Sequence, residues 1–225
     1  MQDEMNFEWS PEKSAADAPV EPEEQAPAAV QEEKPAKKKL TWQQALFKDA
    51  RDVLVSVCAF MLVYVLFFRN VVVVGSSMYD TLIEGDYLLI LNNLVYQEPK
   101  TGDIVVASKD SFRSGECIIK RVIATEGQVV DIDFETGTVY VDGVALEEPY
   151  IYSPTKRPEG MRFPLTVSEG CLFLMGDNRM ESMDSRDPQI GLIDKREILG
   201  KAFFLLIPGA NGRGGRDFGR IGVIG

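Results

Sequence analysis

Apolar positions divide the chain into unlike stretches. Residues 1–39, including EPEEQAPAAVQEEKPAKKK, hold too little apolar surface for a core and read as a disordered tail. Val53–Phe68, VLVSVCAFMLVYVLFF, is uncharged and almost wholly apolar. It is slightly short for the ~20 residues that cross a bilayer. Residues 40–70 are read as a juxtamembrane segment with a single transmembrane helix; a buried helix of a soluble domain is the alternative. The valines beyond Arg69 and Asn70 either lengthen that helix or begin a strand.

From Val71 the period changes. Short apolar runs alternate with turn signals: VVVVG, DYLLILN, DIVVAS, CIIKRVIA, QVVDID, GTVYVDG, CLFLMGDN and KAFFLLIP. Asp142-Gly143 predicts a tight hairpin, and Glu135-Thr136-Gly137 another turn. RDPQIGLIDKREILG holds one short turn of helix at most. Residues 71–208 therefore predict a mainly β, barrel-like or sandwich domain of antiparallel strands. Residues 209–225 form a glycine-rich tail, loosely held, with an apolar end able to dock.

Charge gives this organisation a direction. Lys34, Lys37, Lys38, Lys39, Lys48 and Arg51 precede the apolar segment, and only Arg69 closely follows it. The positive-inside rule places the N-terminus in the cytoplasm and the β-domain outside. A net charge of −11 argues against nucleic acid as a partner. The chain has no histidine, which removes Ser-His-Asp and Cys-His catalysis. Cys58, Cys117 and Cys171 lack CxxC spacing, so a zinc site is not expected either. No cofactor is implied. Chemistry falls to Ser, Lys, Asp, Glu, Tyr or Arg.

Three stretches can carry it. In VVVVGSSMYDTL, residues 71–82, a serine ends an apolar strand beside glycine, as a nucleophile does and as many turns do. In CIIKRVIATEG, period two puts Lys120 and Arg121 on opposite faces, so one of them faces inward or into a cleft. A desolvated lysine falls in pKa and can act as a base; an edge-strand lysine snorkelling to water is the plainer reading. GDNRMESMDSRDP, residues 176–188, is either a solvated loop or a buried ion-pair network. Its Ser182, Asp184 and Arg186 alternate, so they share a face if extended. Gly85-Asp86 reads as a structural turn.

Together these pieces resemble the bacterial type I signal peptidases, membrane-bound Ser/Lys leader peptidases. GSSMYDTLIEGD, TGDIVV, IIKRVIATEGQVV, VYVDGVALEEPYI, MGDNRMESMDSR and GLIDKREILGKAFFLLIP run in family order over residues 66–208. The resemblance implies Ser77 as nucleophile, with Ser76 a mere neighbour, and Lys120 as general base. It implies Ser182 and Asp184 as groups orienting the lysine, Arg186 as partner of Asp184, and Asp177, Asn178 and Arg179 as framework. Asp80 stands where the family usually has proline. Gly75 stands where some members carry an oxyanion-binding serine, leaving the Ser77 N–H as the main oxyanion donor. Val73, Val74, Gly75, Leu82 and Ile119 are expected to bind an extended substrate, with pockets that by resemblance accept small residues at −1 and −3. Ser77 lies at most about 30 Å beyond Phe68, so the site is expected near the membrane surface. Signal-peptide-bearing pre-proteins and the lipid bilayer are the implied partners, with secretion machinery nearby. The alternative is a catalytically inactive, membrane-tethered β-domain with a binding role.

Overall fold

Thr41 and Gln44 cap the first helix reciprocally. Thr41 Oγ1 accepts from the Gln44 N–H, and Gln44 Oε1 accepts from the Thr41 N–H at 3.1 Å. The structure, a computed structural model, describes residues 41–109, 116–210 and 214–224. The expected disordered tail, residues 1–39, lies outside the described residues. The chain falls into two units, Met1–Leu46 and Phe47–Gly225; the first turn of the helix belongs to the first unit, and every strand to the second.

Helix α1 (Trp42–Phe67) has 26 residues and buries none of them. At about 1.5 Å per residue it is about 39 Å long, more than the ~30 Å hydrocarbon thickness of a bilayer. An apolar helix of this length, with none of its residues buried among the described residues, is long and apolar enough to cross a membrane. It leads straight into strand β1 (Phe68–Val72). Val71 and Val72 thus belong to a strand, which starts three residues before Val71, while Val73 and Val74 follow its end. Just past the helix end, Asn70 Oδ1 accepts from Tyr64 Oη at 2.9 Å.

The later strands are β2 (Tyr87–Asn92), β3 (Ile104–Ser108), β4 (Cys117–Thr125), β5 (Val129–Asp133), β6 (Thr138–Val141), β7 (Val144–Ala145), β8 (Leu165–Thr166), β9 (Cys171–Met175), β10 (Ile193–Asp194), β11 (Ile198–Ile207) and β12 (Gly222–Val223). One sheet runs β1-β2-β11-β3-β4-β9-β10, with β12 added on β11; the other runs β7-β6-β5-β8. Every pairing is antiparallel. The mainly β domain behind one apolar helix is thus the fold that forms. Both expected turns appear, joining β5 to β6 and β6 to β7. The helical turn is a 3-10 turn at Lys195–Glu197.

Strands β3 and β4 are apolar at almost every position because both their faces are covered. Ile104, Val106 and Ile119 pack with Val73, Met78, Leu82 and Leu88 on one side. Val105, Ala107, Ile118 and Val122 pack with Leu172, Leu174 and Ile193 on the other. Hence both basic residues of β4 are buried, Lys120 and Arg121 each at 4% exposure, where alternation alone predicts one.

The C-terminal tail is held more firmly than its composition suggests. Strand β12 pairs with Phe204 and Leu205 of β11. Arg220 grips the fully buried Asp86 through Nη1 at 3.0 Å and Nη2 at 2.8 Å.

Candidate active site

The chain leaves β1 still extended. The Val73 N–H donates to Asp86 O, and the Gly85 N–H donates to Val73 O, both at 2.9 Å. Gly75 then takes φ +82°, a conformation open to glycine at little cost, and the backbone turns out of line. Met78 and Leu82, each 1% exposed, plug the next turn into the core. Ser77 is thereby clamped between an extended strand and a buried anchor.

Lys120 reaches the same point from the middle of β4. Its Nζ donates to Ser77 Oγ at 2.7 Å and to Ile119 O at 3.1 Å. Burial, helped by Arg186 and opposed by the Asp184 and Asp177 carboxylates, pushes the amine down to about 8. A substantial neutral fraction thus exists near neutral pH.

The 176–188 loop locks both groups in place. Asp177 accepts from Arg121 Nε at 2.9 Å and Nη2 at 2.7 Å, and from Thr81 Oγ1 at 2.6 Å. One carboxylate therefore ties β4 to the serine loop. The Asn178 N–H donates to Ser77 O at 3.0 Å, and its Nδ2 donates to Ser76 O at 3.2 Å. Arg179 is fully buried and holds Glu148 with both Nη atoms and Thr155 Oγ1 at 2.7 Å. Gly176 has no room for a side chain: a Cβ there would strike Ser77 O and Ser182 Oγ.

Asp184 and Arg186 form a fully buried pair, with Nε to Oδ1 at 2.8 Å and Nη2 to Oδ2 at 2.9 Å. Burial pushes the Asp184 carboxyl up. The Arg186 guanidinium and the Gly176 N–H outweigh it and hold the carboxyl below its ordinary range. Ser182, expected to orient the lysine, is buried against Gly176, but its Oγ has no hydrogen-bond partner among the described residues and does not bond Lys120. Asp80 is exposed. The Tyr79–Asp80 peptide is cis, at the position where the resemblance expects proline.

A groove of about 500 Å³ runs along residues 71–78 and 116–120 to this pair. Val73, Val74, Gly75 and Ile119 line it; Leu82 does not, because it is committed to the core beneath. Strand β9 pairs with β4 only from Arg121 onward. Cys117–Lys120 therefore keep one edge free, among the described residues, for another extended chain.

A serine hydroxyl against a buried, partly neutral amine, beside a groove with an open strand edge, is equipped for nucleophilic attack on an extended peptide. The sequence profile of the family described as "Signal peptidase, peptidase S26" matches residues 46–207. The chain belongs to this family. Among S26 relatives, signal peptidase I of Bacillus licheniformis is 34% identical, across 79% of this chain and 95% of its own. Signal peptidase I T of Bacillus subtilis (strain 168) is also 34% identical, across 78% and 91%. A crystal structure of a signal peptidase I from Enterococcus faecalis V583 aligns with a TM-score of 0.39 at 30% identity, covering 46% of this chain and 96% of that one.

What sequence reading missed in this S26 chain are the partners of its motif residues. Thr81, Arg121 and Glu148 hold Asp177 and Arg179 from distant segments. Arg121 left a signal, as a second cation in an apolar strand; Thr81 and Glu148 left none.

Proposed function

We propose that this chain is a membrane-bound serine endopeptidase that removes N-terminal signal peptides from exported pre-proteins. The observation that carries the mechanism is the 2.7 Å contact between Lys120 Nζ and Ser77 Oγ in a buried setting. When the amine is neutral, the hydroxyl donates to Nζ along this contact. Lys120 takes the proton as Ser77 Oγ attacks the scissile carbonyl. The Ser77 N–H, unbonded among the described residues, is available to the oxyanion. Lysine returns the proton to the leaving amine, and water then deacylates the serine. Asp184 and Arg186 keep the lysine's surroundings fixed. Ser182 offers its hydroxyl once the amine shifts toward it.

The substrate reading rests on the anchor and the groove. Ser77 is the tenth residue past the helix end at Phe67, at most about 35 Å of chain. A pre-protein still held by its apolar segment presents its cleavage site at that height. Val73, Val74 and Ile119 border where its −1 and −3 side chains would lie. Residues 71–208 form the peptidase domain outside the cytoplasmic membrane, with the N-terminus inside; secretion machinery is the expected neighbour.

Cleavage of a pre-protein by the full-length protein in liposomes tests this reading. Ser77→Ala and Lys120→Ala should each lower kcat by at least about 10³-fold, as loss of a nucleophile or base does elsewhere. Undiminished cleavage by either variant rejects the mechanism.

A further inference from the structure

The binding surface continues past the serine loop. Beyond Ser76 lies a second hollow of about 480 Å³, bounded by Tyr79, Tyr152, Ser153, Asn178, Met180 and Glu181. Ser76 and Glu181 border both this hollow and the groove. The Tyr79 and Tyr152 rings meet edge to face, 5.0 Å between centroids at 76°. Both remain substantially exposed, at 38% and 61%. Ser153 Oγ is buried and has no hydrogen-bond partner among the described residues.

Glu181 sets the chemistry of this hollow. Its Oε2 accepts only long bonds, from Ser76 Oγ at 3.3 Å and Asn178 Nδ2 at 3.4 Å. No cation pairs with it among the described residues. Arg157 donates to Met180 O at 3.2 Å and leans toward Glu159 at 3.8 Å. The mechanism uses none of Glu181, Tyr79 and Tyr152. An unneutralised carboxylate beside two accessible aromatic rings is suited to a cationic side chain, by ion pairing and by cation–π attraction.

The direction of the substrate comes from the peptidase reading, on which this inference rests. Residues before the cleaved bond lie along Val73 and Val74, so residues after it leave across Ser76. We propose that this hollow is the subsite for the first two residues after the cleaved bond, and that Glu181 makes it favour lysine or arginine over an acidic residue there.

Synthetic pre-peptides carrying Lys, Gln or Glu at the first or second position after the bond, with a parallel set varied at −2, test this on the full-length protein. The wild type should show a Lys-over-Glu ratio in kcat/KM of about fivefold at one of the two positions, the range of an exposed ion pair. The ratio should shrink with added salt, fall to near one in Glu181→Gln and invert in Glu181→Lys. Taking the ratio within each variant cancels any general loss of activity. Equal cleavage of the three peptides by the wild type, a ratio that survives Glu181→Gln, or an effect of Glu181→Gln only at −2 overturns the subsite. Cleavage of every peptide unaffected by Ser77→Ala instead strikes down the peptidase reading, and the subsite with it.

Discussion

Lys120 sits among charges of both signs, and their balance decides when it can act. Burial lowers its affinity for a proton; Asp184, Asp177 and Glu159 raise it, and Arg186 lowers it, leaving the amine at about 8. In the proposed mechanism the active form is the neutral one, so kcat/KM should rise tenfold per pH unit on the acid side and level off above about pH 8. A profile flat from pH 6 to 9 would exclude lysine as the base. The sequence points to this residue through a cation in an apolar run, but leaves open whether Lys120 or Arg121 faces inward. Both do, because β3 and β4 are covered on both sides. The second burial gives Arg121 a bidentate hold on Asp177, so in the proposed mechanism the two adjacent cations divide chemistry and scaffolding between them.

Among the elements, the tail departs most from its sequence reading. Glycine-rich and polar, 209–225 predicts a loose end. Yet Arg220 bridges to Asp86, 134 residues away, and its Nη2 also donates to Thr81 O at 3.1 Å. Local pattern carries no information about a partner so distant, whereas short strands and turns are written in neighbouring residues. Thr81 in turn donates to Asp177, so the tail braces the loop that carries Ser77. Arg220→Ala leaves the buried Asp86 without its guanidinium and should destabilise the domain by about 3 kcal/mol, with a lower kcat. Arg220→Lys should recover part of both. A thermal melt and a peptide-cleavage assay check this; an unchanged Tm in Arg220→Ala would show that the bridge contributes nothing.

At the scale of the whole molecule, the anchor and the groove are one continuous run of chain. Alternation and the apolar segment place a β-domain behind a helix, whereas the pairing of Ser77 with Lys120 comes only from the resemblance of the ordered motifs. They could not show that no loop intervenes between α1 and β1, because an apolar helix and an apolar strand look alike where they join. A flexible insertion of ten Gly/Ser residues between Phe67 and Phe68 should lower cleavage of membrane-held pre-proteins severalfold by diluting the site away from its substrate. Cleavage of short soluble peptides should change little; equal loss on both substrates would mean that only folding had suffered. The same junction couples the enzyme to its solvent. With no slack after Phe67, a thicker bilayer that draws α1 upright or deeper also lowers the groove toward the headgroups. Lipid composition then becomes a selector of cleavage sites, shifting which distance from the apolar segment is cut without any change in the protein.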